Sequence, residues 1–284
     1  MGFSAAMHAP RPLPVEVPAR GYERRRLRLA DGAQTTLHLA WFHRAAVRLR
    51  VTQTSFPGTL LAWCRANGAP DALVGGFFVR PGRAPLGELR IDGERRESVP
   101  FDYPWGLLRS SVHVSEGDVR IARRPEIALE PDGDLVQAGP LLVEGQRSLI
   151  LDGGDPEGFS AGAHQFDSDI TRGRYPRAAL AIAGPHLIAA VCDGRSGVDA
   201  GMTLQELAAA LVELGARTAI NLDGGGSASL VYGSRLRNRP REEHGIEILG
   251  GRPISTALIF DALQPISAPR LPRGPGGATP RRAR

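Results

Sequence analysis

Glycine and proline interrupt this chain so often that few segments leave room for a long helix. The 284 residues include 35 Gly and 23 Pro, and both residue types end regular elements. Between them lie short apolar or alternating runs that are typical of strands. The pattern predicts an α+β fold, a single domain built on a mixed, mostly antiparallel sheet with few helices.

Two segments have helical spacing. Residues 59–67 stop at Gly68, and residues 203–214 begin with a Thr203–Glu206 capping box that leads into an apolar face. Strands are predicted at residues 35–41, 46–51, 72–79, 86–91, 107–114, 118–121, 135–138, 141–143, 148–151, 217–222, 227–232 and 254–260, and on both sides of a turn within residues 178–192. The glycines at 75 and 76 predict a bulge or a close backbone approach in the strand that contains them.

The two ends of the chain differ from its middle. We expect a Pro-rich leader at residues 1–20, one domain at 21–265 and a disordered Arg/Pro/Gly tail at 266–284. The net charge is +5, and residues 270–284 hold five Arg and no acid, so the rest of the chain is neutral (5 − 5 = 0). A solvated tail is therefore favoured over a nucleic-acid-binding one. Residues 1–20 lack an apolar signal segment, and a turn breaks the longest apolar run, so we expect a cytoplasmic protein without a membrane span.

Composition excludes several kinds of site. The chain contains no Lys, so the phosphate loop of P-loop nucleotide hydrolases, which needs one, is absent. The two Cys, Cys64 and Cys192, are too few for a disulfide framework, and the seven His show no zinc spacing. Asp167 and Asp169 fit a polar loop better than a metal pair. No cofactor is predicted, although the sequence leaves room for a structural divalent cation.

A strand that ends in three glycines carries the first candidate site. Asn221 and Asp223 are two residues apart, so both side chains project from one face of a strand. The amides of Gly224, Gly225 and Gly226 could form an anion-binding concavity, to which Ser227 adds a hydroxyl. Taken alone, the segment equally allows a glycine hairpin with a turn-capping Asp.

Two further strand ends carry charged residues of the same kind. Asp193 and Arg195 follow the apolar strand that ends near Cys192, and the alternation of a strand places both on one face. Arg177 begins the strand at 178–183, and its guanidinium suits bidentate phosphate contacts. Each Arg alone would be explained by a surface ion pair, but three such clusters within roughly fifty residues favour a shared site.

These motifs together resemble the phosphodiester glycosidase family. The resemblance runs from about residue 60 to 262 and is carried by ANGAPDALVGGFF, QAGPLLVEGQ, PRAALAI, AAVCDGRS, GMTLQELAAALVELGA, AINLDGGGSASLV, RNRP and GRPISTALIF. It implies an active site lined by Arg177, Asp193, Arg195, Asn221, Asp223, Gly225 and Ser227, with Gly75 and Gly76 near the substrate. Val74 and Ala178 depart from the family pattern, which has Asn and Thr there.

The reaction implied by the resemblance is hydrolysis of a sugar 1-phosphodiester at the glycosidic C–O bond. A phosphomonoester is a weakly basic leaving group, so the need for a strong general acid is small. We assign Asp223 as the carboxylate that activates water or stabilises the oxocarbenium ion, with Asp193 as second carboxylate. Arg177, Arg195 and the amides of residues 224–226 would hold the phosphate. Glu88 is a weaker acid candidate, for which a surface position is favoured.

Two other functions stay open at the level of sequence. Residues 158–162 match the G-x-S-x-G pattern of serine esterases, with Ser160 as nucleophile and His164, His186 or His244 as partner. The flanking residues fit neither the strand nor the helix that this motif needs. A non-catalytic sugar-phosphate-binding module would keep the same cradle without turnover, and Val74 makes it credible.

Overall fold

The computed structural model describes residues 19–54, 58–80, 82–151, 154–160, 165 and 170–263. Most of the regular structure in these ranges is strand. The strands are β1 (Arg20–Arg28), β2 (Gln34–His43), β3 (Val47–Gln53), β4 (Ala72–Val74), β5 (Leu89–Ile91), β6 (Glu94–Arg95), β7 (Ser110–Ser115), β8 (Asp118–Arg123), β9 (Asp134–Gln137), β10 (Leu141–Glu144), β11 (Arg147–Ser148), β12 (Arg177–Ala183), β13 (His186–Cys192), β14 (Thr218–Asn221), β15 (Leu230–Tyr232), β16 (Arg235–Leu236) and β17 (Thr256–Ala262).

The described ranges contain two α-helices, and the predicted end of the first at Gly68 and the predicted capping box of the second are both present. Helix α1 (Leu60–Asn67) starts at the Thr59 side chain and ends at Gly68, which has φ of 65°. Helix α2 (Leu204–Glu213) begins with the complete Thr203–Glu206 capping box. No helix in the described part of the chain has the length and apolar character needed to cross a membrane.

Three antiparallel sheets form the core. The first has the order β1-β2-β13-β12-β14-β10-β11, the second β16-β15-β4-β17-β3, and the third β6-β5-β9-β7-β8. All pairings between named strands are antiparallel. The predicted α+β class with mostly antiparallel sheet and few helices is confirmed.

The central strands of the first sheet are buried on both faces. Alternate residues of β12 point to opposite sides, so Ala178 and Leu180 join the core shared with the other two sheets, whereas Ala179 and Ala181 pack with helix α2. The Phe42 and Phe260 rings stack at 4.2 Å between centroids and join the first two sheets. Burial on both faces explains why residues 178–192 are almost continuously apolar.

Several strand boundaries differ from the prediction. Strand β1 was not predicted, because its Arg-rich sequence hides the alternation, and it pairs along its length with β2. The predicted strand at 72–79 ends at Val74. After it, Gly75 N donates to Thr256 O, and Gly76 N donates to the Thr256 side chain in place of a backbone carbonyl. Residues 225–227 form a 3-10 turn before β15 begins at Leu230. The predicted leader residues 1–18 and the tail 266–284 lie outside the described residues, and the cytoplasmic location stays a prediction.

Candidate active site

The antiparallel pairing brings three polar strand ends to one edge of the first sheet. Arg177 at the start of β12 pairs with Cys192 at the end of β13, and Ala179 pairs with Asn221 at the end of β14. The two residues after β14 are also held by backbone hydrogen bonds: Leu222 N donates to Ala178 O at 2.9 Å, and Asp223 N donates to Gly75 O at 3.0 Å. The predicted convergence of these segments therefore follows from the register.

A cavity of about 370 Å³ opens at this edge. Five of the predicted site residues besides Asp223 line it: Arg177, Arg195, Asn221, Gly224 and Gly225. Residues that were not predicted complete the wall: Phe77, Phe78, Arg80, Ile170, Tyr175, Pro176, Leu222, Glu242, Glu243 and Arg252. The cavity is thus lined by four guanidinium groups and three carboxyl groups, so its cationic side chains outnumber its acidic ones by one.

Asp223 lies two residues after the end of β14 and places its carboxyl group in the cavity wall. Its Oδ1 accepts the Gly224 amide at 2.9 Å. Its Oδ2 is buried and, like Ser227 Oγ, makes no hydrogen bond of standard geometry to another described residue. Burial raises the pKa of Asp223 to about 6, against the opposing effects of the Ser227 hydroxyl and the Arg252 guanidinium. A carboxyl group that titrates near neutrality in a cleft is suited to acid–base chemistry.

Glu242 has the opposite environment. Its carboxylate accepts from Arg252 Nε at 2.6 Å and also from Arg252 Nη2. Partial burial alone would raise the pKa of Glu242, but the hydrogen bonds and charge of Arg252 hold it below its usual value. Glu242 therefore stays ionised over the range in which Asp223 titrates, and the two carboxyl groups have separate tasks.

The three consecutive glycines act differently from the predicted amide cradle. The Gly224 amide is used by Asp223, and the Gly225 amide donates to Pro176 O at 2.8 Å. A Cβ at Gly224 would lie 2.9 Å from Pro176 O, one at Gly225 3.3 Å from Arg195 Nη1, and one at Gly226 2.8 Å from Arg252 Nη2. The glycines leave room for a backbone crossing and two guanidinium groups. Gly226 and Ser227 are buried and are not among the cavity residues.

The two predicted phosphate-binding arginines have different surroundings. Arg177 is 3% exposed, and its guanidinium donates to the carbonyls of Met202, Ile170 and Gly173 at 2.9, 2.8 and 3.2 Å. It therefore braces the cavity wall. Arg195 is half-buried and donates from Nη1 to Arg241 O at 3.2 Å. Its guanidinium lies 5.5 Å from the centre of the Tyr175 ring, which leaves Arg195 the better placed of the two for an anion.

Asp193 lies outside the cavity lining, contrary to its predicted place beside Arg195. Its side chain is 5% exposed and contacts His38 Nε2 at 3.0 Å, and its Oδ1 accepts the Arg239 amide at 2.7 Å. The prediction assumed that the chain stays extended beyond Cys192. Arg195 instead has φ of 58°, so the alternation of a strand no longer applies and the two side chains diverge.

Gly75 and Gly76 also lie behind the cavity wall and not on it. The predicted close approach is present, since a Cβ at Gly75 would lie 2.5 Å from Thr256 Oγ1 and one at Gly76 2.9 Å from Gln137 O. Gly75 O accepts the Asp223 amide. Gly75 thus positions the Asp223 backbone, and the predicted contact of the two glycines with substrate is not part of this arrangement.

Substitution of Gly75 by Ala should destabilise the fold. The added methyl would meet Thr256 backbone atoms at 2.9 Å, so a strand must shift, which we expect to lower the free energy of unfolding by at least about 2 kcal/mol. Urea unfolding of the variant measures the change. Gly197→Ala is the control, because a Cβ there has no atom within 4 Å and should change stability by less than about 0.5 kcal/mol. Equal midpoints for the two variants would contradict this packing account.

Other residues singled out in the sequence lie elsewhere. Glu88 is held by Arg124 Nε at 2.6 Å and Arg90 Nε at 2.8 Å beside a different cavity. Ser160 is exposed and donates to the Asp155 carboxylate, no described histidine contacts it, and neither strand nor helix flanks it in the described residues. His164, Asp167 and Asp169 lie outside the described residues. No group of three metal-ligating side chains occurs among the described residues.

The segments that line the cavity lie within a region that matches a known protein family. The family model for phosphodiester glycosidase matches residues 67–261. The catalytic domain of zebrafish N-acetylglucosamine-1-phosphodiester alpha-N-acetylglucosaminidase, auto-inhibited by its pro-peptide, has a TM-score of 0.65 at 20% identity, covering 87% of this chain and 85% of that one. A hypothetical protein from Synechocystis has a TM-score of 0.57 at 19% identity, covering 86% of this chain and 62% of that one.

No curated protein matches the chain in sequence. The two structural likenesses are below 25% identity and show a shared fold. The family model spans more than half of the chain and includes every strand end that lines the cavity. The chain therefore belongs to the phosphodiester glycosidase family.

Proposed function

We propose that this protein hydrolyses a sugar 1-phosphodiester at the bond between the anomeric carbon and the bridging oxygen. Water adds to the sugar, and the phosphate leaves as a phosphomonoester with the bridging oxygen and its electron pair. The observation that carries the proposal is Asp223, a carboxyl group with a buried Oδ2 and a pKa of about 6, in a cavity lined by four Arg. The family membership supports the same reaction class.

The arginines suit the leaving group. Departure of the phosphate leaves a second negative charge on it, and fixed cations stabilise that charge best when they are already in place. Arg195 is held by Arg241 O, and Arg252 is held by Glu242. A guanidinium has five N–H donors in a rigid fork, so each can keep its protein partner and still donate to a phosphate oxygen. We assign Arg195 and Arg252 to the phosphate, with Arg177 bracing the wall.

Asp223 faces the sugar side of the bond in this proposal. As a carboxylate it would remove a proton from the attacking water or stabilise the positive charge that develops at the anomeric carbon. The rings of Phe77, Phe78 and Tyr175 also line the cavity and offer apolar surface to a sugar ring. The name of the zebrafish relative gives an N-acetylglucosamine 1-phosphodiester as its substrate, which makes such compounds the first to test here.

The proposed role of Asp223 sets the pH dependence of the reaction. The ionised form is required, and burial raises the pKa of Asp223 to about 6, so kcat/KM should increase as the pH rises through about 6 and then level off. Steady-state rates between pH 4.5 and 8 on a phosphodiester substrate measure this limb. A profile that falls as the pH rises through 6 would assign Asp223 as an acid and contradict the proposed role.

Hydrolysis of a UDP-sugar in H₂¹⁸O tests the proposal directly. Cleavage at the anomeric carbon gives labelled sugar and UDP without ¹⁸O. Attack at the phosphorus next to the sugar with loss of the sugar gives UDP that carries ¹⁸O, whereas cleavage of the pyrophosphate bond gives UMP and a sugar 1-phosphate, one of which carries the label. Phosphorus NMR distinguishes these products. Binding of the UDP-sugar without turnover would support the non-catalytic binding module instead, and labelling of Ser160 by a fluorophosphonate with loss of activity would support the esterase.

A further inference from the structure

Asp193 belongs to a chain of hydrogen bonds, buried at Asp193 and His38, that the proposed reaction does not use. The Tyr22 hydroxyl lies 2.8 Å from His38 Nδ1, and His38 Nε2 lies 3.0 Å from Asp193 Oδ2. The side chains of His38 and Asp193 are 3% and 5% exposed. With Asp193 ionised and His38 neutral, the donors run in one direction: Tyr22 O–H to Nδ1, then Nε2–H to the carboxylate.

The carboxylate at the end of this chain joins two parts of the cavity wall. Asp193 Oδ1 accepts the Arg239 amide at 2.7 Å, and Arg239 belongs to residues 237–243, which we term the 237–243 loop. The loop brings Glu242 and Glu243 to the cavity. Asp193 itself is two residues before Arg195, and the Arg195 guanidinium donates to Arg241 O in that loop.

Two residues, Arg237 and Asn238, anchor the 237–243 loop to the second sheet. Asn238 accepts from Leu230 N at 3.0 Å and donates to Ala228 O at 2.7 Å. Arg237 Nε donates to Tyr232 O at 2.8 Å, and the same guanidinium lies 4.6 Å from the centre of the Tyr22 ring of the first sheet. Asp193 therefore supplies a further connection, through its buried carboxylate, from the first sheet to the same loop.

We propose that Tyr22, His38 and Asp193 form a positioning chain that fixes Arg195 and the 237–243 loop at the cavity. Asp193 acts on the reaction through these groups and does not touch the substrate. The proposal rests on the proposed function for its kinetic consequences, but its structural consequences are independent of turnover. It also gives a role to a carboxylate whose place in the sequence predicted direct catalysis.

Two substitutions of Asp193 distinguish a positioning role from a direct catalytic role. In Asp193→Asn the side-chain oxygen still accepts from Arg239 N, and the amide donates to His38 Nε2, so His38 carries its proton on Nδ1 and donates to the Tyr22 oxygen. This variant should keep kcat/KM for the UDP-sugar within about threefold of the wild type. Asp193→Ala breaks both connections and should lower kcat/KM about 100-fold, mainly through a higher KM. A loss in Asp193→Asn as large as that in Asp223→Asn would overturn the proposal.

Two measurements keep the test valid if no phosphodiester is turned over. Nitrogen-15 NMR of the imidazole should show the His38 proton on Nε2 in the wild type and on Nδ1 in Asp193→Asn, and an unchanged tautomer would overturn the chain. Calorimetry with inorganic phosphate should show about tenfold weaker binding in Asp193→Ala and unchanged binding in Asp193→Asn. Unchanged binding in Asp193→Ala would also overturn it.

His43→Gln is the matched control on the same strand. His43 pairs with His186 at the end of β13 opposite to Cys192, and the two imidazole rings pack edge to face at 5.1 Å. Its substitution should leave phosphate affinity and kinetics unchanged. Absence of turnover in the wild type, with the tautomer exchange and the loss of phosphate affinity both observed, would reject the proposed function and retain the positioning chain.

Discussion

Asp223→Asn should abolish most activity and at the same time stabilise the protein at neutral pH. Removal of the carboxylate that acts at the anomeric carbon should lower kcat about 10³-fold. The fold should be retained, because the Asn side-chain oxygen can still accept the Gly224 amide that Asp223 Oδ1 accepts in the wild type. Rates at pH 7.5 on the UDP-sugar measure the first effect, and denaturant unfolding measures the second.

The stabilisation follows from the direction of the pKa shift. Burial raises the pKa of Asp223 from 3.8 to about 6, so the folded state holds this proton more tightly than the unfolded state does. The resulting stability is fully present below pH 3.8, declines between pH 3.8 and 6, and is lost above 6. The ionised side chain then costs at most about 3 kcal/mol relative to an unshifted group, and Asn does not carry this cost.

Asp223→Asn should accordingly be more stable than the wild type at pH 7.5, and this advantage should disappear at pH 3.5. Glu243→Gln is the matched control, since Glu243 lines the same cavity but is exposed. We expect Glu243→Gln to change kcat less than tenfold and to leave stability within about 0.5 kcal/mol. Full activity in Asp223→Asn would exclude Asp223 as the catalytic carboxylate, whatever its effect on stability.

The sequence predicted the edge of the cavity well because strand ends and antiparallel pairing determine it. Arg177, Asn221 and Asp223 are each within two residues of a strand in the first sheet, so the apolar pattern of that sheet places them. Capping residues located both helices for the same reason, since their signal is local. The fold class also followed from the short apolar runs between glycines.

The parts that the sequence missed depend on contacts between distant segments. Glu242 and Arg252 are in loops, and they reach the cavity because Asn238, Asp193 and Gly226 hold those loops in place. The segments RNRP and GRPISTALIF were noted for their resemblance to the family, and Arg252 is part of the second. Arg and Glu side chains in loops are common on any protein surface, so residue type alone could not select these two.

Asp193 and the three glycines show how a correct pattern can suggest a wrong contact. The alternation rule failed for Asp193 because Arg195 has a left-handed backbone conformation. The sequence gives no sign of this conformation, since position 195 is not a glycine. The glycine run did mark the site, but the atoms that approach it are Pro176 O and the guanidinium groups of Arg195 and Arg252. A glycine is needed wherever another group comes close to the backbone, so the sequence cannot tell whether that group is a ligand or a neighbouring side chain.

Arg252→Leu should produce the second large loss, because it removes a cation from the phosphate side of the cavity. We expect kcat/KM to fall by about 10²- to 10³-fold, with inhibition by inorganic phosphate weakened in parallel. Arg252→Lys retains the charge but not the fork that binds Glu242 through two nitrogens, so it should recover only part of the loss. Steady-state kinetics with phosphate as inhibitor measure all three proteins.

Glu242→Gln separates the phosphate contact from the ion pair. Arg252→Leu leaves Glu242 without its guanidinium, so part of the loss could come from an unpaired carboxylate and not from a missing anion contact. Glu242→Gln removes the negative charge and keeps Arg252, so phosphate should inhibit it at least as strongly as the wild type. If Glu242→Gln instead loses phosphate inhibition and activity to the same extent as Arg252→Leu, the ion pair itself is what the reaction needs.

The pH profile of Arg252→Leu provides an independent check on the link between the two carboxyl groups. The Arg252 guanidinium lowers the pKa of Asp223 against the larger effect of burial. Its removal should therefore move the acid limb of kcat/KM to a pH above 6, whereas Arg252→Lys should leave the limb near its wild-type position. A limb that stays in place in Arg252→Leu would mean that the group titrating near pH 6 is not the carboxyl group that Arg252 faces, and Asp223 would lose its assignment.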